Sequence, residues 1–416
     1  ETPAGAGGPR RRGCRRQMRW KPASKARAVK RALGVALGSP AALISLRWHA
    51  RGWPADEVEE APVITPERWV ELRSLAERSS LMRGGRIDLA GIRRWHIERG
   101  FPGAITLREW PAGRDEKYSR FTGVSDRERR ECYYLYYEIT GRGERLQQIF
   151  LRGTCVPEDC VFNVLVAKDW DEELGCHLHH GFRRRADEVL ESLEPLLDRE
   201  AKITLSGHSL GGAVATIVGM RLQARGYDVQ EVVTFGAPKV TDRAGARGHA
   251  FRGRVLRISN MLDPVPLLPF GFCTPWSGPF SQLGAQVLLL PPRTGPGVFP
   301  PQSGPAQAGP AFVYLEPEAA AHPWVASFLL HCPPLAPRKE GCPGWLDMHR
   351  MWTYLRLLEP FTATPDTAQR IPFSLRHAQS VCAAGGTENT AGKAGGEDSG
   401  ASVPRFQYLR RTALGF

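Results

Sequence analysis

Residues 202–212 read KITLSGHSLGG. A short β-type run (Ile203, Thr204, Leu205) ends in glycines around a serine and passes directly into the apolar stretch Ala213–Met220. That order is the pattern of a strand turning sharply into a helix. Within it, Gly207-His208-Ser209-Leu210-Gly211 has the G-x-S-x-G form. A serine on such a turn sits in a strained backbone conformation, and its neighbours two positions to either side crowd together. Gly207 and Gly211 meet that demand by lacking a Cβ. The hydroxyl is then lifted above the end of the sheet, and the helix N-terminus aims its N–H groups at any oxyanion that develops there. The bland alternative is a Gly-rich turn carrying an ordinary serine; the strand before and the helix after argue against it.

The flanking sequence repeats the alternation. Leu210–Arg225 reads as a helix stopped by Gly226, and Val232–Phe235 and Arg254–Ser259 as further β runs. Upstream, Gly181–Leu197 has Phe182, Ala186, Val189, Leu190 and Leu193 on one helical face. Cys132–Ile139 and Leu146–Leu151 read as two strands joined by a turn at Gly141–Gly143. Residues 66–101 read as helical, Ala285–Leu290 and Ala311–Leu315 as β runs, and Asp347–Leu358 as a helix. Strands alternating with helices predict an α/β fold with a mostly parallel central sheet flanked by helices.

The chain has 416 residues and a net charge of +13, with 44 Gly and 34 Pro. Residues 1–35 hold eleven Lys/Arg against the single acid Glu1, so +10 of the +13 excess charge lies there. The remainder is close to neutral and gives no electrostatic reason to expect nucleic-acid binding. The first 65 residues are expected to be a basic segment, disordered or with the composition of an organelle (plastid-like) transit peptide or a membrane-surface tail. Residues 66–375 form the expected α/β domain, with a Pro/Gly-rich loop insertion at 291–310, and 376–416 a low-complexity tail. Nine cysteines, an odd count without Cys-x-x-Cys spacing, indicate a reducing, intracellular setting. Cys155 with Cys160, or Cys332 with Cys342, are the pairs open to an oxidising one. No stretch is long and apolar enough for a spanning helix, so a soluble or peripheral protein is expected.

A serine nucleophile needs a base, and the base an orienting acid, in the chain order Ser, acid, His for this type of turn. Asp263 lies just beyond the β run that ends at Ser259. Its competing reading is a plain Asp-Pro turn. The histidines that follow are His322, His331, His349 and His377; His349 opens a helix-like stretch, and its competing reading is a solvent-facing helix residue. Oxyanion donors are expected from the N–H of Leu210 and from the exit of the run Phe150–Thr154, where Gly153 permits close approach and Thr154 offers an N–H and a hydroxyl. His177, His179 and His180 lack a zinc-type spacing such as H-E-x-x-H, so no metal and no organic cofactor are expected. The apolar stretch Pro264–Phe272, with Trp276, reads equally as an acyl-chain pocket and as core.

Taken together, Phe150–Thr154 (FLRGT), His180–Phe182 (HGF), Gly207–Gly212, Val233–Pro238 (VTFGAP), Asn260–Pro266 (NMLDPVP) and His349 with Tyr354 resemble the class 3, fungal-type lipases in that family's order. The resemblance runs from about Tyr133 to Leu358. It implies an α/β-hydrolase with a Ser209–Asp263–His349 triad and an oxyanion hole at Thr154 and Leu210. It also implies a lid near Cys155–Asp169, although Asp159 is followed by Cys160 where family members often carry Trp. The activity implied is hydrolysis of lipid esters, whether acylglycerol, phospholipid or galactolipid, with contact to a membrane or lipid-droplet surface. An acyltransferase on the same triad and a non-catalytic lipid-binding protein are the competing readings.

Overall fold

The computed structural model describes residues 64–82, 87–111, 130–153, 168–269, 279–290, 310–315, 317, 345–363 and 368–370. In chain order the elements begin with helices α1 (Pro66–Ser80) and α2 (Leu89–Glu98), then strands β1 (Ala104–Pro111), β2 (Arg130–Ile139), β3 (Arg145–Leu151), β4 (Lys168–Asp171) and β5 (Cys176–His179). Next come α3 (His180–Leu193), β6 (Lys202–His208), α4 (Leu210–Ala224), β7 (Val229–Phe235), β8 (Thr241–Asp242), α5 (Arg243–Gly248) and β9 (Val255–Asn260). The last group is β10 (Phe280–Ser281), β11 (Ala285–Leu289), β12 (Ala311–Leu315), α6 (Trp345–His349), α7 (Met351–Ala363) and β13 (Gln369–Arg370).

Among the described residues, nine strands form the central sheet in the order β1-β2-β3-β6-β7-β9-β11-β12-β13. Its middle is parallel from β3 through β6, β7 and β9 to β11. The mostly parallel central sheet of an α/β fold, expected from the sequence, is therefore present. Antiparallel pairs flank the parallel block: β1 with β2, β2 with β3, and β11 with β12. The β2–β3 hairpin closes through Gly143, whose φ of +79° is the left-handed conformation glycine accepts without penalty.

Both faces of the sheet are covered. On one lie α3 and α4, with Phe182, Leu190, Ala213, Ile217 and Val218 packed against Ile149, Leu205 and Val232. On the other, α1 and α7 bring Trp69, Leu72, Met351 and Leu358 against Phe150, Val233, Ile258 and Val287. Helix α4 is buried from Leu210 to Leu222 with no polar face. A helix apolar all round must be enclosed, and this one lies between the sheet and α3. It ends where Gly226 takes φ +81°.

Several elements depart from the sequence reading. The helical stretch 66–101 is two helices, the second beginning after Asp88. Strand β1 went unread because it is an edge strand in which Ala104 and Arg108 are exposed and residues 105–107, 109 and 110 are only half-buried, which masks the apolar alternation. A second sheet, β10-β8-β5-β4, was also missed; its strands have two to four residues, too few to show a period. The helix expected over Asp347–Leu358 breaks at Arg350 into α6 and α7, and α7 continues through Pro360. The N-terminal segment 1–63, the loop 291–309, most of the lid segment and the tail from 371 lie outside the described residues. Among those described, no helix is long and apolar enough to cross a membrane.

The α1–α7 layer is pinned by Trp69, which is 1% exposed, stacks on Phe361 at 4.2 Å and meets Phe312 edge-on at 5.1 Å. Trp69→Ala is expected to destabilise the protein by about 3–5 kcal/mol, read from urea unfolding midpoints at unchanged m. A loss below about 1 kcal/mol would mean that the layer is not packed as described.

Candidate active site

Strand β6 ends at His208 and α4 begins at Leu210, so Ser209 alone makes the turn. Its φ of 57° and ψ of −127° make it the one non-glycine residue with positive φ among the described residues. The neighbouring glycines explain how so sharp a turn is packed. A Cβ on Gly207 would lie 2.5 Å from the carbonyl carbon of Gly211 and 2.8 Å from the nitrogen of Gly212. A Cβ on Gly211 would meet the backbone of Leu151 and lie 2.8 Å from that of Arg152. Side chains essentially never approach backbone this closely, so both positions require glycine. The Ser209 N–H donates to the carbonyl of Phe235 at 2.8 Å, tying the turn to β7.

The structure brings together Ser209, His349 and Asp263, which are far apart in the chain. His349 Nε2 lies 2.7 Å from Ser209 Oγ, and His349 Nδ1 lies 2.7 Å from Asp263 Oδ2. All three are buried. With the Nδ1–H donated to the carboxylate, Nε2 is left as the acceptor for the serine proton. This is the arrangement by which a neutral imidazole withdraws a proton from a hydroxyl and a carboxylate stabilises the imidazolium that results.

Asp263 is held by more than the imidazole. Its Oδ1 accepts the Val265 N–H at 2.9 Å, and its Oδ2 also accepts the Tyr354 hydroxyl at 2.6 Å. Burial, and then the negative charge of Asp263, push the Tyr354 hydroxyl well above the usual phenol range, so it remains a donor. The same hydroxyl accepts the Asn260 N–H at 3.2 Å. Gly236, directly after β7, has φ +61°. A Cβ there would lie 2.7 Å from both Asp263 Oδ2 and the Tyr354 hydroxyl, and 3.2 Å from His349 Nδ1. The sequence reading quoted Gly236 and Tyr354 as parts of motifs and gave neither a role. A glycine between a β run and Ala-Pro was the available signal for the first; no local pattern reveals the second.

Of the expected oxyanion donors, Leu210 is the first residue of α4, where backbone N–H groups have no intrahelical acceptor. Thr154 lies outside the described residues, as do His322, His331 and His377. Gly153, next to Thr154, runs beside the turn: a Cβ on it would be 2.7 Å from the His208 carbonyl and 3.6 Å from Ser209 Cβ. The three histidines near β5 do not converge. His177 pairs with Asp242 and His180 with Asp169, while His179 stacks on Phe182 at 3.9 Å and caps α3.

Residues 148–272 match the family described as Lipase (class 3). Over 101 residues the chain is 30% identical to the secreted mono- and diacylglycerol lipase A of Penicillium camembertii, covering 23% of this chain and 33% of that protein. Over 132 residues it is 30% identical to phospholipase A1-II 3 of Oryza sativa subsp. japonica, covering 29% of each. Among solved structures it is similar to lipase II from Rhizopus niveus, with 18% identity, a TM-score of 0.40, and coverage of 54% of this chain and 81% of that one. The chain spans about a fifth to a third of the length of the curated relatives it matches. Residues 148–272 run from the middle of β3 through the turn at Ser209 to beyond Asp263, so the stretch similar to the class 3 lipases includes both Ser209 and Asp263 and stops short of His349.

Proposed function

We propose that this protein hydrolyses carboxylic ester bonds of lipids through Ser209, His349 and Asp263. The observation that carries the reading is the unbroken hydrogen-bonded line from the Ser209 hydroxyl through both ring nitrogens of His349 to Asp263, with 2.7 Å at each step. In the proposed cycle His349 Nε2 takes the serine proton as Ser209 Oγ bonds to the ester carbonyl carbon. The oxyanion is held by the N–H of Leu210 and by Thr154. Collapse of the tetrahedral species breaks the carbon–alkoxy bond, and the alcohol leaves with the proton from His349. Water then attacks the acyl-enzyme, its proton passes to His349 and on to Ser209, and the fatty acid is released. The chemistry uses no metal or organic cofactor.

The substrate class proposed is an acylglycerol, phospholipid or galactolipid, presented at a membrane or lipid-droplet surface. The names of the Penicillium and Oryza relatives, a mono- and diacylglycerol lipase and a phospholipase A1, support the first two of these classes. A panel of emulsified lipid esters, with an alcohol acceptor added beside water, tests the reading. Release of free fatty acid is expected to dominate; acyl transfer to the alcohol in excess of hydrolysis would make the protein an acyltransferase.

Two substitutions sharpen the test. Ser209→Ala and His349→Ala are each expected to lower kcat by about a thousandfold or more, and Ser209→Ala to abolish labelling by a fluorophosphonate. Wild-type protein that neither labels nor hydrolyses any member of the panel would overturn the proposal. Gly236→Ala is expected to cost about a hundredfold in kcat with an unchanged far-ultraviolet circular dichroism spectrum, because its methyl group pushes into the Asp263–His349 contact rather than into the core. Full activity in that variant would contradict the crowding described at Gly236.

A further inference from the structure

His349 is the last residue of α6, a helix of five residues. A helix so short has little stability of its own, and its final carbonyls have no intrahelical N–H to accept from. Two consecutive carbonyls at this end are taken up by side chains from the sheet. Asn260 Nδ2 donates to the Met348 carbonyl at 2.9 Å, and His208 Nε2 to the His349 carbonyl at 2.6 Å. A carbonyl only accepts, so the Nε2 of His208 carries the proton. The His208 ring also lies against the ring of His349, with centroids 4.6 Å apart and planes tilted by 32°.

The placement of His208 in the chain gives this contact its meaning. His208 is the residue immediately before Ser209. Two adjacent residues therefore grip opposite ends of the same residue: Ser209 Oγ meets the imidazole of His349, and the His208 imidazole meets its main chain. A rigid turn that holds both the hydroxyl and the backbone of its partner fixes the distance between them locally. Asn260 holds the neighbouring carbonyl of the same helix end. Catalytic groups need placement to within about 0.5 Å, and a displacement of about 1 Å can cost a hundredfold in rate.

We propose that His208 is a positioning residue for His349: its hydrogen bond to the His349 carbonyl and its ring contact hold the imidazole over the Ser209 hydroxyl. The inference rests on the proposed triad. His208 touches no reacting atom in this role and acts only through His349.

The test is a double-mutant cycle on the full chain. His208→Phe keeps an aromatic ring against His349 and removes the donor. It is expected to lower kcat for a soluble short-chain nitrophenyl ester 10- to 100-fold, and the rate of fluorophosphonate labelling of Ser209 by a similar factor, with KM within about twofold. His208→Gln, whose amide reaches about as far as the imidazole Nε2, is expected to recover most of the loss. In a His349→Ala background, His208→Phe is expected to cost less than twofold further, because the residue it positions is gone. Activity of His208→Phe within twofold of wild type, or the same loss with and without His349, would overturn the inference. If His208→Phe does not fold, as judged by thermal unfolding, His208→Leu carries the same comparison. Wild-type protein without activity or labelling would sink the triad itself, whereas an active wild type with an equally active His208→Phe would sink this inference alone.

Discussion

The close approach of three backbones around Ser209 is the constraint on which the arrangement depends. The turn between β6 and α4 occupies a single residue, so the end of β3, the end of β6 and the first turn of α4 must lie within van der Waals distance of one another. Gly153, Gly207 and Gly211 make that possible, each facing backbone atoms that no Cβ could share space with. A non-glycine residue at φ 57° costs roughly 1–3 kcal/mol. That strain persists because its surroundings leave it no alternative. Helix α4 is buried along its length between the sheet and α3, and Gly219 lets it sit close on Val232 of β7. Relaxing the turn would lift a helix buried from Leu210 to Leu222 off the sheet.

Parallel strand order then determines what the turn can meet. Because β6, β7 and β9 run the same way, their C-terminal ends share one edge of the sheet. The residues that follow them are Ser209, Gly236 and the turn carrying Asp263. Each strand therefore delivers one component of the site to the same place, the usual benefit of an open parallel sheet. His349 arrives from outside the sheet, on α6. It is held by what the sheet edge offers it and by α7, which lies across the opposite face with Met351, Tyr354, Leu358 and Phe361 fully buried. The burial that seats α7 also aims the Tyr354 hydroxyl at Asp263.

Much of this was legible in the sequence, for reasons that differ from one element to the next. The turn at Ser209 was readable because its requirements are local: a β run, two glycines at fixed offsets and an apolar helix. The α/β class followed from the alternation of β runs and helices. Spacing alone left Asp263 open to reading as a plain Asp-Pro turn and His349 as one of four histidines; the ordered motifs of a resembling family singled them out. Strand β1 escaped because an edge strand need not bury both faces, and β4, β5, β8 and β10 because two to four residues carry no period. The break at Arg350 escaped because both halves are helix formers and no glycine or proline stands between them. The contacts of His208, Gly236 and Tyr354 described above join residues 27 to 141 positions apart in chain order, and no pattern confined to one element encodes them.

The buried carboxylate of Asp263 shows how these pieces depend on one another. A carboxylate removed from water is costly unless its oxygens are filled with donors. Here the donors come from three sources: the Val265 N–H within its own turn, the hydroxyl of Tyr354 on α7, and the Nδ1–H of His349 on α6. Only the first is local to the sheet. Opening of the α6–α7 segment would remove the base and two of the three groups that stabilise the acid together. The backbone of the turn at Ser209 is packed instead against β3, β7 and α4. Ser209 and His349 thus sit on separate segments of one domain, joined at the carbonyls of α6 that His208 and Asn260 hold.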